Sequence, residues 1–552
     1  MKNTIVMLNS KYIHSSLAPW CLLSGIRDFC DAQVTASVIE GTINEKEENI
    51  SSRLEKENAD IYSFCCYIWN IEYVKKLAEK IKEKTGAYIV FGGPEVSFNA
   101  SDVLDECPFV DFILSGEGEE SIAALSTALC RKSDLSLVKG LCYRENGKNI
   151  ISDPVVSQKE QMSPYCEEYF HSLGGRIAYI EASRGCPFSC AFCLSGRCGK
   201  LVLFDMERVK NEILMLSKSG ARTIKFIDRT FNAKRERADE ILSFIIQNYG
   251  RDIPAGVCFH FEIDGGTLHE STLNILENAP VGLFQLEIGL QSFNAETLRA
   301  VHRNPDTTKL ENIIKRLAGN GNMHIHADLI AGLPYENLNS FAQSFNRLYA
   351  LKPHMLQLGF LKFLHGSELR EKANQYGCTF SDKAPYEVLS TGWLTKEEMQ
   401  IIRNAENAAD RLYNSGRFMR TLDFLVDECG FEPFTLFAEF GEFTSDKTNI
   451  PLDEYLSLVY NFFVDKTDSN RLRDALVCDR LSSNSSGVIP ECLKIKDGRL
   501  KRIKKHLAEN MQLKGKVACA ILYGADKVVY CDYKTKNPVT ENYELSFMEL
   551  SL

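Results

Sequence analysis

The chain contains no run of eighteen consecutive apolar residues, and its N-terminus, MKNTIVMLNSKYIH, offers only a four-residue apolar run before Asn9. A membrane-spanning helix needs about 20 apolar residues and a signal-peptide core about 7 to 15, so the sequence predicts a cytoplasmic protein without a membrane partner. Basic residues are in deficit: 64 Lys and Arg against 74 Asp and Glu give a formal charge of −10. Binding to a phosphate backbone draws its free energy from clustered Lys and Arg, which disfavours nucleic acid and favours a small-molecule substrate. Paired cysteine spacing is missing as well. The 19 cysteines are scattered singly except for Cys65–Cys66 and one tight run, a pattern of a reducing cell and not of a secreted disulfide framework. Histidine is scarce at the front of the chain, where His14 is the only one before residue 170.

One local exception to the acidic balance is LKIKDGRLKRIKKHL, where Lys494, Lys496, Arg499, Lys501, Arg502, Lys504 and Lys505 crowd together. It reads as a solvated helix face, with a local RNA-binding face as the lesser alternative. With 552 residues, 44% hydrophobic and 25% charged, the chain has room for about three domains.

The first 155 residues alternate β-rich runs (TIVMLN, QVTASVIE, DIYSFCCY, AYIVFGG, VDFILSG) with helix-length stretches. That alternation predicts a doubly wound parallel sheet. Gly92-Gly93-Pro94-Glu95 and Gly116-Glu117-Gly118-Glu119 end two of its strands, where such folds bind ligands. Over 170–375, six apolar segments (IAYIEAS, RTIKFID, GVCFHFE, LFQLEIG, MHIHADLIA, MLQLGFLKF) recur between helical patterns, Asp205 and Gly220 capping one of them. Six β/α units predict a partial (β/α)6 TIM-like barrel. Residues 376–552 read as a mainly helical α+β domain, with a capping box at Thr395–Glu398 and a hairpin around YGADK near the end.

The densest signal is RGCPFSCAFC. Cys186, Cys190 and Cys193 supply three thiolates from one loop at C-x3-C-x2-C spacing, which leaves one iron of a [4Fe-4S] cube without a protein ligand. Zinc with Cys198 as a fourth ligand is the competing reading, and ordinary buried cysteines a third.

This spacing, with Phe192 directly before the last cysteine at the end of a first barrel strand, resembles the radical S-adenosylmethionine (SAM) superfamily. The resemblance implies a [4Fe-4S] cluster whose open iron is chelated by SAM and a 5'-deoxyadenosyl radical. The GG and GEGE turns resemble the cobalamin-binding-type domain that precedes the barrel in one branch of that superfamily. Because D-x-H-x-x-G is absent, cobalamin is possible but disfavoured, and a retired cofactor domain is expected instead.

Side chains at the C-terminal ends of parallel strands gather at one mouth. Asp228, His260, Glu262 and Asp328 are therefore the candidate catalytic groups. Phe192, Glu287, Gln291, Ser292 and His326 are candidates for holding SAM, and Gly332-Leu333-Pro334 is the turn that family members pack against adenine. Ile227-Asp228-Arg229 stands where the family carries a Gly-Gly-Glu motif for the SAM amino group. Asn9, Tyr12, His14 and Asn232 are candidates for touching substrate. His365-Gly366-Ser367 resembles the family's closing element.

The whole layout, including LNSKYIHSSLAPW, resembles a subfamily whose named activity is queuine lyase, a carbon–nitrogen cleavage that releases aminomethyl-7-deazaguanine. A carboxylate can accept two adjacent N–H groups of a guanine-like base, and Asp228, Glu262 and Asp328 are available acids. The expectation is thus a lyase in queuine salvage. Its rivals are a cobalamin-dependent radical SAM methyltransferase, an RNA-modifying radical SAM enzyme, and a non-enzymatic iron–sulfur or zinc protein. With no flavin fingerprint in the chain, a flavodoxin or ferredoxin is the expected electron donor.

Overall fold

A computed structural model of the chain describes residues 1–197, 200–510 and 516–550. Two compact units emerge: Met1–Ala279 with Ala300–Arg303 and Leu361–Thr391, and Pro280–Arg299 with Asn304–Phe360 and Gly392–Leu552.

The first unit opens with Lys2–Asn9 (β1), Thr35–Thr42 (β2), Ile61–Cys65 (β3), Tyr88–Gly92 (β4) and Phe112–Leu114 (β5), all pairing in parallel. An antiparallel hairpin, Leu141–Glu145 (β6) and Lys148–Ile150 (β7), completes a sheet of order β2-β1-β3-β4-β5-β6-β7. Strands covered by helices on both faces must be apolar throughout, and all five residues of β3 are buried. The helix Ile71–Thr85 shows the matching pattern: Ile71, Val74, Leu77, Ala78 and Ile81 form its buried face, and Gly86 at φ +68° ends it. The chain order reverses between β1 and β3, so the crevice beyond their C-terminal ends is the topological switch point of this sheet.

Three further parallel strands follow in the same unit: Ala178–Ile180 (β8), then, after the short antiparallel pair Ser183–Arg184 (β9) and Val202–Leu203 (β10), Thr223–Phe226 (β11) and Cys258–Ile263 (β12). The segment Leu361–Thr391, carrying Thr379–Phe380 (β16) and Val388–Ser390 (β17), also belongs here. Its Tyr386 hydroxyl donates to the buried carboxylate of Glu95 in the GGPE turn. The ring of His365 meets Tyr386 edge-on at 4.9 Å, and burial pushes the His365 pKa down to about 4.

The second unit holds three parallel strands, Phe284–Gln291 (β13), His324–Ala331 (β14) and Met355–Phe360 (β15), in the order β15-β14-β13. Its helices include Lys396–Ala409, whose N-terminus carries the capping box predicted at Thr395 and Glu398. Near its end Ala518–Leu522 (β18), Lys527–Cys531 (β19) and Ser546–Glu549 (β20) form an antiparallel sheet against the basic helix Arg499–Asn510, whose Ile503 and Leu507 join its core. The helix's Lys501, Arg502, Lys504 and Lys505 face solvent. Helix Met206–Ser217 starts at Asp205, whose side chain accepts from Arg208 N–H, but stops before Gly220.

Candidate active site

The cysteine loop begins where only glycine fits. Gly185 lies at φ +91°, and a Cβ there would come within 2.8 Å of the Lys200 carbonyl oxygen. Cys186, Cys190 and Cys193 follow as half-exposed free thiols. Cys193 N–H donates to the Cys190 carbonyl at 3.0 Å, and Ser195 N–H points at Cys193 Sγ at 3.4 Å. Thr230 Oγ1 lies 3.5 Å from Cys186 Sγ. Two distant segments hold the loop: Ala191 N–H donates to Val301, Leu369 N–H donates to Ala191, and the Ser189 carbonyl meets His302 Nδ1 at 3.0 Å.

Burial raises the Cys190 thiol pKa, Cys193 and Cys186 raise it further, and nearby Arg303 opposes them. Among the described residues no three His, Cys, Asp or Glu side chains converge on a single metal ion. A cube spreads its thiolates over separate irons, so such convergence is not required of it. Three thiols on one loop, an N–H aimed at sulfur and a nearby guanidinium fit a [4Fe-4S] cluster. Cys198, the proposed fourth zinc ligand, lies outside the described residues.

Arg184, one residue before Gly185, is the electrostatic centre of this region. Its guanidinium reaches Glu117 at 2.9 Å, Glu119 at 2.8 Å and Glu181 at 2.8 Å. Glu117 and Glu119 are the two acids of the GEGE turn, so that turn of the doubly wound sheet is bonded to the residue leading into the cysteine loop. The run RGCPFSCAFC puts Arg184 at the head of the loop and gives no sign of these partners. Gly116 is itself packed against the chain, since a Cβ there would fall 2.2 Å from the Val155 carbonyl.

Asp228 is wholly engaged at the start of the same loop. It accepts from Ala182 N–H at 2.9 Å and shares a 2.5 Å bond with the Ser183 hydroxyl. Burial raises its pKa to about 7, against the pull of those donors. The folded chain therefore holds this proton in a window, about pH 4 to 7, where the unfolded chain has lost it. Stability from this group falls as pH rises through that window. Asp228→Asn is expected to flatten this part of the slope, checked by denaturant midpoints between about pH 4.5 and 7.5; an unchanged slope would mean that Asp228 is ionised throughout.

Of the other candidates in this unit, His14 and Glu262 gather with Tyr179 around Lys225. Glu262 pairs with Lys225 at 3.2 Å, and His260 stands opposite Lys225 in the register of β11 and β12. His14 Nδ1 lies 2.8 Å from the Tyr179 hydroxyl, and burial lowers its pKa. Asn9 is buried and donates to Glu40, which in turn pairs with Arg176 at 2.7 Å. Tyr12 is 72% exposed. Asn232 is tied to Asp264 through both ends of its amide, at 2.8 and 2.9 Å, which makes it a loop tether and leaves little of it for substrate. Phe192 is half-buried.

In the second unit, Gln291 ends β13 after a bulge, with φ +74° in the left-handed region, and its buried Oε1 has no hydrogen-bond partner among the described residues. Backbone strain of this kind concentrates at functional positions. Ser292 donates to the buried Glu336 at 2.6 Å, and Ser344 donates to the same oxygen at 3.1 Å. Burial raises Glu336 to about 7. Glu287 stands opposite His326, and Asp328 opposite Gly289. His326 accepts from the Gln285 amide at 2.6 Å and packs beside His324 near the start of β14. That is about 17 Å of strand before its C-terminal end.

Family models match three stretches. Residues 3–126 match the B12 binding domain, 180–348 the radical SAM superfamily, and 374–526 a family described as protein of unknown function (DUF4080). The chain carries a radical SAM domain behind a B12-binding domain. Among curated relatives, it is 30% identical over 42% of its length to an uncharacterized methyltransferase of Pyrococcus horikoshii, covering 52% of that protein. It is 27% identical over 67% of its length to the cobalamin-dependent radical SAM methyltransferase TokK of Streptomyces tokunonensis, covering 57% of it. The chain spans about half the length of the curated relatives it matches. Among solved structures, the cobalamin-dependent radical enzyme OxsB shares the fold at TM-score 0.62 and 13% identity, over 92% of this chain and 81% of that one.

The B12-binding match supports cobalamin and corrects the expectation of a retired domain. The missing motif removes only a histidine ligand, whereas the sheet order and its switch-point crevice remain. These fit a corrinoid held without the histidine of that motif. The expected lyase activity on queuine is likewise unsupported, the relatives above being methyltransferases. No described helix is long and apolar enough to cross a membrane.

Proposed function

We propose that the chain is a cobalamin-dependent radical SAM enzyme acting on a small molecule, with methyl transfer as its reaction class. The observation that carries this reading is Arg184, which bonds the acids of the GEGE turn to the segment entering the cysteine loop, so that both candidate cofactor loops share one partly buried ion network. When bound, the cluster supplies the electron that cleaves SAM, and cobalamin supplies a methyl carrier. Cys186, Cys190 and Cys193 would hold the cluster. Gln291, with a free buried acceptor, would take a hydroxyl of SAM. Asp228 orients the loop through Ala182 and Ser183. His14, Tyr179, Lys225 and Glu262 give the substrate a wall of hydrogen-bonding groups. A flavodoxin or ferredoxin would deliver electrons.

Anaerobic protein reconstituted with iron, sulfide, cobalamin and SAM is expected to show corrinoid absorbance and to form S-adenosylhomocysteine only when cobalamin is present. A corrinoid-free protein that instead forms 5'-deoxyadenosine and releases aminomethyl-deazaguanine from queuine would replace methyl transfer by the lyase reading.

A further inference from the structure

One of the residues that hold the cysteine loop does so with an ionisable ring. His302 follows the fully buried Val301 and lies at φ +59°. A side chain in the left-handed region costs free energy that glycine would avoid, so a histidine kept there points to a task for its ring. The two ring nitrogens meet two different elements. Nδ1 lies 3.0 Å from the carbonyl oxygen of Ser189, the residue before Cys190, and Nε2 lies 3.4 Å from Glu368 Oε1. A carbonyl and an ionised carboxylate only accept hydrogen bonds. A neutral imidazole has one N–H and can serve one of them, whereas the imidazolium serves both. Glu368 is suited to that partner: the hydrogen bond from Lys372 at 2.6 Å, and then the charge of His302, hold its carboxyl below the usual range.

Backbone bonds run alongside. Ala191 N–H donates to Val301 at 3.3 Å and Leu369 N–H donates to Ala191 at 3.0 Å, so the two segments that His302 joins are the two that hold the loop. Arg303, the next residue, brings a second positive charge near Cys190. The His302 side chain is 41% exposed and that of Glu368 26%, so their pairing by itself contributes little stability. Its effect falls on the loop.

We propose that His302, as an imidazolium shared between Ser189 and Glu368, is a positioning residue for the iron–sulfur cluster. It fixes the backbone between Cys186 and Cys190 and, with Arg303, sets positive charge beside the Cys190 thiolate. A cube held by three thiolates is anionic, and a cation close to it makes its reduction easier. This rests on the cluster reading of the cysteine loop and not on cobalamin.

Hydrogen exchange of the full chain before reconstitution, and redox titration of the reconstituted full chain without SAM, test this with three variants. Before reconstitution, His302→Ala is expected to exchange the amides of residues 186–193 about tenfold faster, the loss of one charge-assisted hydrogen bond; should that variant not fold, the same exchange is read in His302→Gln. His302→Gln, neutral and of similar size, is expected to shift the cluster potential to more negative values. His302→Arg, which keeps the charge and has donors for both acceptors, is expected to return it towards wild type. A Gln variant at the wild-type potential, or an Arg variant no closer to it than Gln, would overturn the inference. So would unchanged exchange of the loop. A wild-type chain that takes up no iron and sulfide would instead overturn the cluster reading on which the inference stands.

Discussion

Replacing any one of Cys186, Cys190 and Cys193 by alanine is expected to reduce bound iron from about four atoms per chain to near zero and to lower 5'-deoxyadenosine formation by about a thousandfold or more. The loop supplies three thiols, and a cube held by two of them exposes two irons to solvent. No described neighbour offers a replacement: Thr230 brings a hydroxyl to Cys186, and Ser195 brings an N–H to Cys193. Iron and sulfide analysis, with the absorbance of anaerobically reconstituted variants, checks the first outcome, and chromatography of SAM cleavage products checks the second. Cys258, in β12 and raised to about 11 by burial, serves as the control, since Cys258→Ala should keep the full iron content.

Arg184→Met should be the most destabilising single change outside the apolar core. It strands Glu117, Glu119 and Glu181, whose side chains are between 8% and 22% exposed. Removing one partner from a buried charge network costs about 3–5 kcal/mol. Arg184→Lys should recover only part of this, because an ammonium cannot match a guanidinium that addresses three carboxylates at once. Denaturant unfolding measures the loss directly. Adding Glu119→Gln to Arg184→Met should return some stability by lowering the stranded charge, and a further loss in the double variant would show that the network is not what Arg184 stabilises. Iron loading should also fall in Arg184→Met, because the loop entering Cys186 loses its anchor.

Much of this architecture was legible in the residues. Each of the eleven segments read along the first two thirds of the chain overlaps an observed strand, and the central ones, such as β3 and β5, are legible because a parallel strand buried on both faces leaves an apolar run. The hairpin β6–β7 was missed although Asn146-Gly147, both at positive φ, is the dipeptide that two-residue hairpin turns favour. Strand β20 was missed for a different reason: its residues are mostly exposed and carry no buried alternation to read. The cysteine loop was readable because its ligands lie within eight residues of each other. Arg184's three partners come from two separate stretches, so no local spacing could show them. The single missing histidine motif drew attention away from corrinoid binding, which the family match over residues 3–126 supports.

The contact between Tyr386 and Glu95 bears on how the protein can be divided. Residues separated by about half of the chain's length meet in one buried bond, so the N-terminal sheet borrows a piece of polypeptide made long after it. A gene fragment ending near residue 155 would produce that sheet with an acid facing a gap that the phenol normally fills. Such a fragment should be harder to obtain soluble than the full chain, and a ribosome must finish nearly four hundred residues before the first module can close.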